Sequence, residues 1–137
     1  MRNLYQLSIL ATLAACGGGS DEPAPCNPVG AWSLTETSTA GDCDDLGAVD
    51  PTALVLADAG DVFTAQIREG ETLIECTGEI SSSCSGVLTC SATLDGIDAA
   101  EVYSLAFAGD GVTGTAELSA AGEDFSCSGH NTVSGRR

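Results

Sequence analysis

The chain contains no lysine, and its 137 residues include one histidine, one tryptophan and four arginines against 20 carboxylates. Aromatic residues are only 4% of the sequence. A formal charge of −16 repels phosphate backbones and anionic headgroups, which excludes a nucleic-acid binder. The charge would instead attract basic proteins or divalent cations. Phosphate-cradling loops, haem motifs, Cys-x-x-Cys pairs and a Gly-x-Ser-x-Gly elbow are all missing. Beyond residue 15 no apolar run approaches the roughly 20 residues that a membrane-crossing helix needs.

The one sustained apolar run lies at the start. Arg2 is the only charge before Asp21, and Leu4 to Ala15 is apolar apart from Gln6, Ser8 and Thr12. A positive head, a short apolar run and small residues before a cysteine make a secretory signal, too short for a permanent anchor. Leu13-Ala14-Ala15-Cys16 resembles the bacterial lipobox. The resemblance implies a signal peptide over 1–15, cleavage before Cys16, lipid on its thiol and acylation of the new amino terminus. Two or more acyl chains hold a protein stably to a bilayer. Gly17, standing where Asp would resemble an inner-membrane retention signal, directs the expectation to the outer membrane, on its periplasmic face or at the cell surface. Residues 16–25, whose Gly17 to Pro25 reads GGGSDEPAP, predict the lipidated cysteine and a linker. A single domain is expected over 26–137.

Six cysteines remain in that domain: Cys26, Cys43, Cys76, Cys84, Cys90 and Cys127. An even set in an exported small domain predicts three disulfides, for which fifteen connectivities exist. A zinc site is disfavoured by the single histidine and the spacing. After Cys16 only Arg68, Arg136 and Arg137 oppose the 20 carboxylates, a formal charge of −17.

No window past the linker has a helical period. Short Val, Leu, Ile and Thr-rich stretches recur between Gly, Asp and Ser clusters, predicting an all-β fold. Eight strands are expected, at 29–37, 53–57, 62–69, 72–80, 86–94, 101–108, 112–119 and 124–135. Asp58-Ala59-Gly60-Asp61, Glu69-Gly70-Glu71, Gly109-Asp110-Gly111 and Ala121-Gly122-Glu123 carry the chemistry of tight turns. Alternation sets Phe63, Ala65 and Ile67 on one face, and likewise Tyr103, Leu105 and Phe107. In the hairpin 72–94, pairing residues whose numbers sum to 166 puts Ile80, Gly78, Cys76 and Ile74 opposite Gly86, Leu88, Cys90 and Ala92. A shift by one residue would turn every member to the other face, so the register predicts a Cys76–Cys90 bridge.

Sequential hairpins suggest a small eight-stranded antiparallel up-and-down barrel, whose closure removes exposed edges. That topology places Cys43 near Cys127 at one end and Cys26 near Cys84 at the other. Gly30-Ala31-Trp32 near the start, with Arg136 and Arg137 at the end, resembles the calycin pattern of lipocalins and avidins. The resemblance implies that Trp32 packs against a terminal arginine and closes one end of the barrel; either Arg136 or Arg137 fits. The interior is expected to take its bulk from Phe63, Tyr103, Phe107 and Phe125. Small residues (Ala65, Ala92, Gly114, Ala116 and Gly129) would leave room for a ligand or for the disulfides.

Reactive constellations are weak. Asp42, Asp44, Asp45 and Asp50 form an acidic loop, but the EF-hand pattern fails because Ala53 stands at its twelfth position, so a solvated loop is expected in place of a calcium site. His130 has polar neighbours and reads as structural or exposed. Glu36, Glu75, Glu79 and Glu117 are expected on outward faces and so are poor acid–base candidates. The sequence therefore predicts a non-enzymatic, cofactor-free, monomeric envelope lipoprotein. Its barrel would bind a small apolar ligand; the alternatives are a module that binds or inhibits a basic protein such as lysozyme or a protease, or a structural envelope protein without a ligand.

Overall fold

A computed structural model of the chain describes residues 26–43, 52–58, 60, 62–69 and 72–137. Its eight strands are β1 (Gly30–Gly41), β2 (Thr52–Asp58), β3 (Phe63–Glu69), β4 (Thr72–Ile80), β5 (Ser85–Leu94), β6 (Ile97–Ala108), β7 (Gly111–Ala121) and β8 (Ser126–Arg136). Each pairs antiparallel with the next, and β1 pairs with β8, so the sheet is a closed barrel. The expected fold class is therefore the observed one. Closure runs from Ser33 opposite Arg136 to Gly41 opposite Gly129, with a register shift between Ser38 and Ala40.

The hairpin register is as the sum rule requires: Cys76 lies opposite Cys90, Gly78 opposite Leu88 and Ile80 opposite Gly86. The disulfides are Cys76–Cys90, Cys43–Cys127 and Cys26–Cys84, with Cα separations of 4.1, 5.2 and 5.2 Å. Up-and-down topology, with strand one beside strand eight, brings Cys43 to Cys127, and it sets Cys26 and Cys84 at the same end of the barrel.

Several strand ends differ from the expectation, β1 running to Gly41 in place of 37, and two of the differences bear on the core. Strand β6 begins at Ile97 instead of 101, because Leu94-Asp95-Gly96-Ile97 is a two-residue hairpin. Asp95 and Gly96 have φ of 51° and 79°, the left-handed pair that a type I′ turn demands. Strand β8 begins at Ser126, which leaves Phe125 in the preceding turn and 41% exposed. Phe125 is thus not a core residue; its carbonyl accepts from Gly122 N and fixes the turn.

The two ends of the barrel differ. At the base, where β1, β5 and β7 begin, Trp32, Leu34, Leu88, Leu105, Phe107 and Val112 are buried in one continuous core. Each such side chain contributes about 1.5–3 kcal/mol by leaving water. Gly114 faces inward here, and a Cβ on it would lie 1.9 Å from the Ser104 carbonyl oxygen. Only glycine permits the strands to approach so closely at that bend. At the opposite end, the mouth, a smaller cluster of Cys43, Ala120 and Cys127 is packed by Ile97, Ala99 and Leu118.

Candidate functional site

The base is closed by a clamp. The Trp32 ring meets Phe107 edge to face, with centroids 5.1 Å apart, and its Nε1 donates to the Pro28 carbonyl at 2.8 Å. Of the two arginines that the sequence left open, Arg137 is the one that stacks, its guanidinium carbon 4.4 Å from the Trp32 ring centroid. Such a cation–π contact contributes about 0.5–2 kcal/mol. The same guanidinium donates to the carbonyls of Val29, at 3.3 Å, and Asn27. Arg136, one residue earlier in the alternation, points outward and is exposed.

Above the base the interior turns polar. Alternation puts Glu36 on the inner face with Trp32 and Leu34, where it is only 9% exposed. Tyr103 Oη donates to one Glu36 oxygen at 2.6 Å, and Asn131 Nδ2 donates to the other at 2.9 Å. Glu36 is therefore not an outward-facing residue, whereas Glu75, Glu79 and Glu117 are exposed as expected. Hydrogen bonds to a carboxylate offset part of the cost of removing its charge from water. Glu101, two residues before Tyr103, is buried on the same inner face. Burial, then the charges of Glu101 and Glu36, then hydrogen bonding to both carboxylates, push the Tyr103 hydroxyl far above its ordinary range. It remains a proton donor at every physiological pH.

Toward the mouth end, an open hollow of 620 Å³ lies across β5, β6, β7 and β8. Two rows of side chains that alternation turns outward, Ser91, Ala100 and Ser119 on one side and Thr93, Asp98 and Ala121 on the other, flank the strand positions of Ala92, Ala99 and Ala120. Ala120 and Cys127 are themselves buried, so the hollow is a groove of short side chains on the outer wall and not a cavity above Glu101 and Tyr103. Of the expected small residues, Ala92 lines it, while Ala65 and Ala116 are closely packed in the core.

The acidic loop lies mostly outside the described residues, as Asp44, Asp45 and Asp50 do. Asp42 is described, and its Oδ1 accepts from Ser128 N at 2.9 Å beside the Cys43–Cys127 bridge, a structural task. Among the described residues no group of three or more His, Cys, Asp or Glu could hold a metal ion. His130 is exposed and lies 3.1 Å from Glu117.

Neither a protein-family model, nor a curated protein, nor a solved structure matches this chain.

The sequence did not single out Glu36 and Glu101 as interior groups. The signal was present as parity: Glu36 shares its phase with Trp32 and Leu34, and Glu101 with Tyr103, Leu105 and Phe107. Unpaired carboxylates are almost never buried, and that general rule obscured the phase.

Proposed function

We propose that this protein is a lipid-anchored barrel of the bacterial cell envelope that binds a small molecule at its mouth. The carrying observation is the asymmetry of the barrel: aromatic packing fills the base, whereas a 620 Å³ hollow floored by short side chains lies on the outer wall at the other end. That volume falls within the range of small-molecule sites, about 300–1,000 Å³. The lipobox Leu13-Ala14-Ala15-Cys16 supports the anchor, three disulfides suit an oxidising compartment, and the Trp32–Arg137 stack supports a lipocalin-like relationship.

Native mass spectrometry of protein purified from envelopes without denaturant tests the reading. A retained small molecule, or saturable one-to-one binding of a hydrophobic amine dye, is expected. Ser119→Trp, an exposed position that lines the hollow, should abolish either signal while leaving the β circular dichroism unchanged. Bare protein and no dye binding would refute it. Intact mass tests the anchor: Cys16 should carry lipid, and Cys16→Ala should leave the precursor uncleaved.

One observation favours a second reading. Asp42, Asp95, Asp98, Glu123 and Asp124 all lie at the mouth end, a carboxylate rim that would suit a basic protein partner. That reading requires binding to a cationic protein that weakens steeply with salt and survives Ser119→Trp.

A further inference from the structure

We infer that the barrel stands on its closed base, with the hollow turned away from the bilayer, so that the site draws its ligand from water and not from the membrane that holds it. This rests on the lipid-anchored binding barrel proposed above and adds the pool from which its ligand comes.

The chain enters the barrel at the base and is fixed there by several independent contacts. Cys26 is bonded to Cys84, immediately before β5. The Pro28 carbonyl accepts from Trp32, and the carbonyls of Asn27 and Val29 accept from Arg137. No residue beyond Cys26 is free to lengthen the tether without breaking a disulfide and dismantling the clamp. Whatever joins the barrel to the lipid therefore leaves from the closed end.

Chain length then limits the orientations. The ten steps from Cys16 to Cys26 span at most about 35 Å, however they are arranged. Strand β5, with ten residues at about 3.3 Å rise and a tilt near 40°, sets the mouth about 25 Å from the base. To turn the mouth toward the bilayer, the tether must run the full height of the outer wall. Roughly 10 Å would then remain, close to one Debye length at physiological salt. The mouth would have to sit in the field of the headgroups.

Charge opposes that position. The exposed carboxylates of Asp42, Asp95, Asp98, Glu123 and Asp124 surround the mouth, and Arg68 is the only arginine in that half of the barrel. At the base, Arg136 and Arg137 stand against Asp58, Glu79 and Asp110 among the described residues. An anionic surface repels the mouth much more strongly than the base. A short tether and a polarised charge distribution select the same orientation.

The absence of lysine makes a clean test. Ser82→Lys, in the exposed turn at the base, and Glu123→Lys, in the exposed turn at the mouth, each introduce one amine-reactive side chain. The full lipidated protein, labelled with a donor dye, is reconstituted in vesicles of phosphatidylethanolamine and phosphatidylglycerol that carry a headgroup acceptor. Energy transfer from the dye on Ser82→Lys should exceed that from Glu123→Lys several-fold. Equal or reversed transfer in protein that floats with the vesicles overturns the orientation and leaves the binding reading standing. Protein that neither floats nor carries acyl mass overturns the anchor itself, and the orientation with it.

Discussion

The base and the mouth of this barrel are built from different materials. Trp32, Phe63 and Phe107 lie at the base, Tyr103 stands above them, and the aromatic residue at the mouth, Phe125, sits outside in a turn. The inner face of the mouth is instead Ala92, Ala99 and Ala120, held by the Cys43–Cys127 bridge. A chain that is 4% aromatic has the bulk to fill one end of an eight-stranded barrel, and it places that bulk where the chain enters and leaves. The difference teaches that scarcity of large side chains becomes a spatial asymmetry, with bulk and stability concentrated at one end and short side chains at the other.

The largest effect that should separate the ends is truncation at the base. Trp32→Ala removes the edge contact with Phe107, the hydrogen bond to Pro28 and the platform beneath Arg137. A loss in the upper part of the 3–5 kcal/mol range is expected from urea unfolding, a large share of a typical total of about 5–15 kcal/mol. Leu118→Ala, at the half-buried mouth, should cost well under half as much. Equal costs would erase the distinction between the ends.

Next comes the staple at the mouth. Cys43–Cys127 spans 84 residues and Cys76–Cys90 spans 14. The chain-entropy model gives about 4.5 and about 3 kcal/mol for losing each. Cys43→Ser with Cys127→Ser should also raise amide exchange in residues 38–43 and 126–129, because the small mouth cluster is built on that bridge. Removing Cys26–Cys84 by the same means should leave exchange at the mouth unchanged. Matching exchange patterns in the two double variants would show the ends to be mechanically coupled.

Much of this architecture was legible in the residues. The Cys76–Cys90 register followed from parity alone, since only one phase keeps Ile80, Gly78, Cys76 and Ile74 on the inner face. Closure of the meander then brought Cys43 to Cys127 and set Cys26 and Cys84 at one end. The Asp95-Gly96 pair is equally readable as a two-residue hairpin turn, yet the expected strands left 95–100 between them. Glu36 and Glu101 were obscured for a different reason. Alternation announces which face a residue occupies, but not whether partners such as Tyr103 and Asn131 wait across the barrel, and those partners are 67 and 95 residues away from Glu36.

The polar layer between the ends has a pH signature of its own. Burial, together with the two carboxylates, holds Tyr103 protonated in the folded state well above the usual phenol range. Above about pH 10 the unfolded chain releases this proton and the folded chain keeps it, so stability falls by about 1.4 kcal/mol per pH unit. Below that pH the contribution is fully present. The chain has no lysine, its other tyrosine, Tyr5, precedes Cys16, and the six domain cysteines are in disulfides, so Tyr103 alone should generate this limb. Tyr103→Phe should flatten it. Phenolate absorbance that rises near pH 10 without unfolding would show the layer to be wet.

The smallest effect tests whether the outer wall matters at all. His130 and Glu117 lie 3.1 Å apart on adjacent strands, with side chains 54% and 63% exposed. Water and salt screen such a pair, and exposed ion pairs rarely exceed 1 kcal/mol. His130→Ala should change unfolding free energy by no more than about 0.5 kcal/mol. Added salt should narrow the difference further. The variant should also keep every property of the base and the hollow, since His130 lies outside the core and does not line the hollow. If dye binding instead depended on His130, the site would reach beyond the residues that line the hollow, and the contrast between the two ends would no longer explain where the ligand goes.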